Sequence, residues 1–376
     1  MAKASGRSDD LDVMRGMALL LVIYGHVLIL YVLTPALGRQ NGAVFAATQA
    51  IYAFHMPVFF FLSGITYRKK GLHSAVTGAL ALVFFAQITH VFGLGLTYAF
   101  NGVAVDPVAV LKSLGLLRNF SIGVTWFLVA LAVIRLLYAG LIEGNRLVKG
   151  IAVALLVLSV IVTFRTNTTV FQVQTWWAGM IFYAAGHALS GRVLAYFSAK
   201  TQTQAAWAGW LAVGASGGGL ILLAAANRGC FATPFAICGS DALQGRFMVR
   251  MIIGSYGFVP LFVAAAGVGC VFLILLVRRL QGLPPRLQAG FVWLGRRTLP
   301  LLVLNGCFLV VANPWIKTLA AADYPGWQPW VLGLAVVAAH LVVLPLISPA
   351  VDWVERGTAR AATALTARLW TRLAPL

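Results

Sequence analysis

The chain alternates long apolar runs with short polar connections, most of which are basic. The apolar runs have about the 20 residues that a helix needs to cross a hydrocarbon core about 30 Å thick. They predict an all-α, polytopic membrane protein with about ten transmembrane helices. The predicted spans are 14–36, 43–66, 73–100, 122–142, 148–165, 169–190, 204–226, 248–277, 290–312 and 329–352.

Composition and charge agree with a membrane setting. Hydrophobic residues make up 61% and charged residues 10% of the 376 residues. The 28 Lys and Arg outnumber the 9 Asp and Glu, and the formal net charge is +19. The basic residues are scattered among short connections and do not form one basic face. This distribution argues against nucleic-acid binding and favours contact with anionic lipid headgroups.

The charges between the apolar runs predict an orientation. With the N-terminus inside, the inner side collects about twice as many Lys and Arg as the outer side, so we expect both termini to be cytoplasmic. Residues 1–352 then form a membrane domain, and 353–376 form a cytoplasmic tail. On a helical wheel the tail separates its arginines from an apolar side, which is typical of an amphipathic helix on the inner membrane surface. The apolar side consists of Leu365, Leu369, Trp370 and Leu373.

The first apolar run carries three ionisable residues: Asp12, Arg15 and His26. From Arg15 to His26 a helix rises about 16 Å and turns by only about 20° beyond full turns, so both side chains share one face. Arg15 then lies near the membrane surface and His26 near mid-bilayer, while Asp12 is placed to orient or pair with the guanidinium. Such groups are costly in a bilayer. The pattern predicts an anion-binding group at the mouth of a cavity and a proton-handling group at depth.

The second run contains AFHMPVFFFLSG at 53–64. His55 precedes Pro57, whose ring removes a backbone hydrogen bond and favours a kink. We expect His55 at a depth close to that of His26, so that two imidazoles line one cavity. The run ends at Ser63 beside a basic cluster on the side of Arg15, which suits a polyphosphate ligand. The cluster is Arg68, Lys69 and Lys70.

Four motifs together resemble the acyltransferase-3 family of integral-membrane acyltransferases. They are the R-x10-H spacing of Arg15 and His26, FHMPVFFFLSG, TWFLVALAVIRLLY at 125–138, and GRRTLPLLVLN at 295–305. The last is similar to the G-x-x-S-L-x-I-Y-L-x-H block of that family, with Thr298 where many members carry Ser and Asn305 where many carry His. Asn305 can form hydrogen bonds but cannot take up a proton, so we do not expect it to be catalytic.

The resemblance implies an O-acyltransferase of the bacterial cytoplasmic membrane. The expected acyl donor is cytoplasmic acetyl-CoA, and the expected acceptor is a sugar hydroxyl of a lipid-linked glycan or exopolysaccharide. By matching motif, Arg15 and His26 are the essential pair, with His55 and Trp126 near the site. We expect His26 to act as general base with His55 beside it. The resemblance assigns the activity to 1–352, and its partners are acyl-CoA, the glycan and membrane lipids; no metal is expected.

The remaining expected contacts follow from position. Residues expected at the phosphates of the acyl donor are Arg15, Ser63, Arg68, Lys69 and Lys70. Those expected to contact substrate are Asp12, Trp126 and Asn305.

Several alternatives stay open at this stage. A histidine in a membrane helix can simply bridge helices, and Arg15 can be a snorkelling anchor. The basic cluster can be a positive-inside signal, and Trp126 an interfacial belt residue. A transporter or flippase without chemistry also fits buried ionisable groups. An O-acyltransferase for a small acceptor such as a macrolide fits too, as does a covalent acyl-imidazole mechanism.

The cysteines add little to the functional prediction. Cys230 and Cys238 share the loop 227–245, which the topology places outside, and a disulfide between them is left open. They do not make a metal site, because no histidine or further cysteine lies nearby. The same loop, with Asp241, is a candidate surface for contacting the acceptor. Cys270 and Cys307 are interpreted as apolar helix residues.

Overall fold

A computed structural model of the chain describes residues 9–33, 41–104, 106–166, 168–199, 206–228, 247–322 and 325–373. This part of the chain is all-α and contains no β-strand beyond one isolated bridge between Arg250 and Ser255. The helices are α1 (Asp9–Leu33), α2 (Gly42–Ile65), α3 (Leu72–Asn101), α4 (Pro107–Leu116), α5 (Trp126–Glu143), α6 (Arg146–Arg165), α7 (Trp176–Ser198), α8 (Ala206–Ala226), α9 (Val259–Leu280), α10 (Pro285–Arg296), α11 (Thr298–Ala321) and α12 (Gln328–Leu373). Three short 3-10 segments stand at Gly123–Thr125, Val170–Thr175 and Met251–Ile253.

In the described part, 8 helices are long and apolar enough to cross a membrane. The number rises to 9 if α10 and the first part of α11, which meet at a bend of 75°, count as one span. The expected count of about ten also included the run that forms α7. This helix has 23 residues, but tryptophans, glycines, His187 and Arg192 lower its mean hydropathy. The all-helical membrane architecture is confirmed, whereas the orientation of the termini stays a prediction.

The predicted span 248–277 is wrong at its start, because α9 begins only at Val259. The preceding segment turns back on itself: the Arg250 amide donates to the Ser255 carbonyl at 2.8 Å, and the Ser255 amide donates to Arg250 at 3.1 Å. Gly254 and Gly257 have φ of 72° and 69°. These left-handed conformations favour glycine, and they end any helix that would run through them.

The predicted continuous span 290–312 is also wrong, because the helix breaks at Arg297. Pro300 has no N–H to donate to the carbonyl of Arg296, and its ring clashes with a carbonyl at that position. The chain therefore ends α10 at Arg296 and starts α11 at Thr298 in a new direction.

The long helices alternate in direction, which defines two ends of the bundle. The near end is where α1 begins and α2 ends, and the far end is where α1 ends and α2 begins. At the far end, non-helical segments pack inside the bundle, and buried side chains bind their backbone groups. Gln49 donates to the Phe247 carbonyl at 2.6 Å, and Gln174 donates to the Ile252 carbonyl at 2.7 Å. Irregular backbone is tolerated at such depth because protein groups replace water as its partners.

Helices α2 and α7 are in close backbone contact at the centre of the bundle. A Cβ added at Gly186 would lie 2.0 Å from the Phe61 carbonyl oxygen, and one at Gly64 would lie 2.0 Å from the Tyr183 carbonyl oxygen. Small residues at both positions let the backbones approach, as in other membrane helix pairs. Because α7 packs against α2 inside the bundle, it does not need the high mean hydropathy of a helix that faces lipid.

The last helix continues without a break through the predicted boundary at 352. It has 46 residues, and at the rise of an α-helix it is about 69 Å long. Its final turns pack along the start of α3: the Thr366 and Thr77 hydroxyls are 2.9 Å apart, and the Trp370 ring meets His73 at 4.9 Å. The division of the chain at 352 and the placement of the tail on the inner membrane surface stay predictions.

Several predicted features lie outside the described residues, namely Cys230, Cys238, Asp241 and most of their loop. Cys270 is buried in α9 and Cys307 is half-buried in α11, where each was expected within a helix.

Candidate active site

The crossing of α1 and α11 brings His26 and Asn305 together. The Nδ2 atom of Asn305 lies 2.7 Å from Nδ1 of His26, and Asn305 is completely buried. The motif comparison expected Asn305 to contact substrate, and the structure places its amide on the histidine. Asn305 thus stands where it can orient the imidazole.

Which ring nitrogen of neutral His26 carries the proton depends on whether the Nδ2 or the Oδ1 atom of Asn305 faces the ring. With Nδ2 donating to Nδ1, a neutral imidazole carries its proton on Nε2. The Oδ1 atom is then buried without a hydrogen-bond partner among the described residues. Rotating the amide by half a turn lets Oδ1 accept from a proton on Nδ1, which leaves Nε2 free to act as a base.

His55 has a defined proton position, because its Nδ1 lies 2.9 Å from the Ile51 carbonyl oxygen, which can only accept. The neutral ring therefore has a bare Nε2. Tyr52 lies between the two histidines, with its ring 4.7 Å from His55 and 6.3 Å from His26. The predicted neighbourhood of the two imidazoles is confirmed.

His26, Tyr52 and His55 line a cavity of about 330 Å³, called here the His26 cavity. Trp126 and Arg250 also line it, and most of the remaining wall is apolar. Trp126 is the first residue of α5 and is buried, so it belongs to the interior of the bundle. The apolar residues of the wall include Leu19, Val22, Ile29, Leu33, Met56, Phe59, Phe127 and Leu128.

A second cavity opens at the near end, with a volume of about 730 Å³, and is called here the near-end pocket. Four residues predicted at the acyl donor line it together: Arg15, Ser63, Arg68 and Lys70. Lys69 is not among the residues that line it. The pocket also contains residues that were not predicted for this site, namely Tyr67, Arg135, Glu143 and Tyr183.

Asp12 does not line this pocket but pairs with Arg15, which does. Its Oδ1 lies 2.8 Å from Nη1 of Arg15, and its Oδ2 lies 3.3 Å from Nε of Arg296 on α10. Asp12 is completely buried, and Arg296 pairs in addition with Asp9 at 2.9 Å. The predicted pairing of Asp12 with Arg15 is confirmed. One carboxylate thus orients Arg15 and joins α1 to α10.

Glu143 ties the basic connection after α2 to the end of α5. The Tyr67 hydroxyl donates to Oε1 of Glu143, and the Gly71 amide donates to Oε2 at 2.7 Å. Burial and the bond to Glu143 raise the pKa of Tyr67, so its hydroxyl keeps the proton that it donates. These two bonds flank Arg68, Lys69 and Lys70 and hold them at the mouth of the pocket.

The near-end pocket and the His26 cavity are neighbours without sharing a lining residue among those described. On α1, Arg15 lines the first and Leu19 lines the second. On α2, Ser63 lines the first and Phe59 lines the second. Each step is four residues, so on both helices the lining of the two spaces is separated by about 6 Å along the helix axis.

The chain matches the profile of the acyltransferase 3 family, described as an acyltransferase domain, over residues 8–348. It belongs to the acyltransferase 3 family. The match spans nearly the whole chain and confirms the resemblance drawn from the motifs, so this membrane protein is an acyltransferase that uses an acyl donor. A transporter without chemistry is thereby set aside. No curated protein and no solved structure matches the chain.

Two arginines of this acyltransferase were missed as site residues. Arg135 lies within TWFLVALAVIRLLY and lines the near-end pocket together with Tyr183. An arginine inside an apolar run was the available signal, because an intramembrane charge marks a functional site by default. Arg250 stands near the start of the predicted span 248–277, so the same signal was available there.

A cluster of His90, Ser113 and Ser121 in the acyltransferase looks like a nucleophile with its base, but its hydrogen bonds exclude that role. The Ser121 amide donates to Nδ1 of His90 at 2.9 Å, so a neutral ring carries its proton on Nε2. This proton is donated to the Ser113 hydroxyl at 2.7 Å, and that hydroxyl lies 2.8 Å from the Val110 carbonyl. His90 therefore joins α3 to the segments that follow it.

Proposed function

We propose that this acyltransferase moves an acyl group, in the simplest case acetyl, from CoA in the near-end pocket to a hydroxyl group in the His26 cavity. The proposed acceptor is a sugar hydroxyl of a lipid-linked glycan or exopolysaccharide. One observation carries the proposal: a single face of α1 contributes Arg15 to a cationic pocket and His26 to an adjoining cavity.

The near-end pocket suits the phosphates of CoA. Arg15 and Arg68 offer planar forks that bind phosphate through two hydrogen bonds each, and Lys70 adds a point charge. With the phosphates held there, the extended pantetheine arm reaches inward. Displacing the wall between Leu19 and Arg15 would bring the thioester to His26.

In the proposed reaction, Nε2 of His26 takes the proton of the acceptor hydroxyl while its oxygen attacks the thioester carbonyl. The tetrahedral intermediate collapses, the carbon–sulfur bond breaks, and the CoA thiolate leaves and recovers the proton. A positioned base of this kind is worth about 10²–10⁴ in rate. The bare Nε2 of His55 is available to accept a hydrogen bond from the acceptor or from water.

The direction of the helices supports the proposed arrangement in the membrane. α1 begins and α12 ends at the same end of the bundle, where the cationic pocket lies. We propose that this near end is cytoplasmic, in a bacterial cytoplasmic membrane, so that the pocket faces soluble acyl-CoA. The acceptor then reaches the His26 cavity from the far side.

A second class of acceptor has specific support. The wall of the His26 cavity is largely apolar, with Val22, Ile29, Met56 and Phe59 among its residues. Such a wall also fits a small apolar acceptor such as a macrolide. Rates measured with a macrolide and with a sugar glycoside, at equal concentrations of acceptor and acetyl-CoA, separate the two.

The first test is titration calorimetry of detergent-purified protein with acetyl-CoA and desulfo-CoA. We expect saturable binding of both, weakened by about tenfold or more in Arg15→Ala through loss of charge-assisted hydrogen bonds. Arg15→Lys should be impaired too, because an ammonium lacks the planar fork. Arg165→Ala is the matched control, since Arg165 is exposed at the end of α6 and lines neither cavity. Absence of binding in folded protein would contradict an acyl-CoA donor.

A further inference from the structure

Arg250 lines the largely apolar His26 cavity and brings a positive charge to it. No acidic residue is among those that line this cavity, and no described carboxylate forms an ion pair with Arg250. Arg250 also interacts electrostatically with the hydroxyl of Tyr52, which stands between the two histidines. The cavity thus combines a base with a positive charge for which the described protein supplies no counter-charge.

The backbone that carries Arg250 is held in place from three directions. Two hydrogen bonds join the Arg250 and Ser255 backbones and close a turn around Gly254. The carbonyl of Phe247 accepts from Gln49 of α2, and the carbonyl of Ile252 accepts from Gln174. These hydrogen bonds fix the backbone at Arg250, so the arginine does not stand on a loose surface loop.

The neighbours of Arg250 along the chain show that the segment enters the bundle. Met248, Val249 and Met251 are 2%, 3% and 4% exposed. Arg250 itself is half-buried, and a charge that is partly withdrawn from water is costly unless a group of opposite charge accompanies it. Since the described protein offers none in the cavity, the missing partner is expected to arrive with a ligand.

We propose that Arg250 binds an oxyanion of the acceptor, either the carboxylate of an acidic sugar or the phosphate of a sugar phosphate. Both groups accept two parallel hydrogen bonds from a guanidinium. Binding of its anionic group to Arg250 would position a hydroxyl of the acceptor beside His26. The inference rests on the proposed function in that the His26 cavity is taken as the acceptor site, and it adds that the acceptor is anionic.

The test compares three probes on detergent-purified protein in the absence of acyl donor, with calorimetry as the readout. The probes are 4-nitrophenyl β-glucuronide, its neutral counterpart 4-nitrophenyl β-glucoside, and glucose 1-phosphate. We expect the wild type to bind at least one of the two anionic probes about tenfold or more tightly than the glucoside. Whichever anionic probe binds more tightly shows whether the site prefers a carboxylate or a phosphate.

Variants assign this preference to Arg250. Arg250→Gln should abolish the preference for the anionic probe, and Arg250→Lys should retain part of it. Arg165→Gln removes the same charge from an exposed position at the same end and should leave the preference unchanged. Thermal unfolding of each variant establishes that it is folded, and Arg250→Lys keeps the test valid if the glutamine variant does not fold.

Four results would overturn the inference. In the wild type they are equal binding of charged and neutral probes, and no binding of any probe. In Arg250→Gln they are a preference that survives, and an equal loss of binding for all probes, because the arginine would then not act through the anion. Desulfo-CoA binding by the same preparations is measured in parallel. If it persists while the preference is missing, the acidic acceptor is rejected and the proposed acyl transfer is not.

Discussion

Asn305 and His26 are 279 positions apart in the chain, yet the amide of one lies 2.7 Å from the imidazole of the other. The contact joins α11 to α1 at the depth of the His26 cavity. Because it engages Nδ1, it leaves Nε2 as the ring nitrogen available for proton transfer. Asn305 is therefore a positioning residue in the proposed reaction.

Replacing Asn305 tests this role. We expect Asn305→Leu to lower kcat by about 10², because the imidazole loses the partner that selects its tautomer. Asn305→His, which restores the residue common in the family, should retain activity and shift the pH profile of kcat. Acetyl transfer at saturating donor is the measurement, and calorimetry with desulfo-CoA is the control for donor binding. A fully active leucine variant would show that the amide does not orient His26.

His26→Ala should abolish measurable transfer, with a loss of about 10²–10⁴ in kcat, and should leave donor binding intact. Donor binding and catalysis are expected to separate because His26 lines the His26 cavity and not the near-end pocket, whereas Arg15 lines the near-end pocket. Initial rates and desulfo-CoA affinity are measured on the same preparation. Full activity in folded His26→Ala would remove the general-base proposal.

We expect Glu143 to affect binding of the acyl donor and not the rate of acyl transfer. Glu143→Ala removes both bonds that flank the basic cluster, from the Tyr67 hydroxyl and the Gly71 amide. We expect KM for acetyl-CoA to rise several-fold with kcat nearly unchanged, and Tyr67→Phe to give a smaller effect. Glu355→Gln is the matched control, since Glu355 is an exposed acid that does not line the near-end pocket. A fall in kcat alone would argue against a role in holding this connection.

The contact between α2 and α7 should tolerate no side chain at Gly186. Its added Cβ would lie 2.0 Å from the Phe61 carbonyl oxygen, and backbone cannot give way locally. Gly186→Ala should cost about 1–3 kcal/mol or more and lower the unfolding temperature. Gly191→Ala, in open space on the same helix, should be neutral or stabilising by up to about 1 kcal/mol. Equal unfolding temperatures for the two variants would contradict the close contact.

The sequence by itself determined the helical membrane architecture and the shared face of Arg15 and His26. Both follow from local rules, because backbone in lipid must satisfy its own hydrogen bonds and because a helix has a constant rotation per residue. The same rules placed His55 in one cavity with His26 and placed the basic cluster just beyond the near end of α2. They failed where the chain departs from one continuous helix, at 248–258 and at Arg297.

Only the tertiary structure decided which distant residues complete the site. Asn305 and Arg250 approach His26 through the crossing of helices and the return of a non-helical segment into the bundle. An apolar run indicates that its residues are shielded from water. A lipid-facing helix and a buried non-helical segment are both shielded from water, so hydropathy does not distinguish them. The choice between them depends on contacts with other helices, and those contacts exist only after the chain has packed.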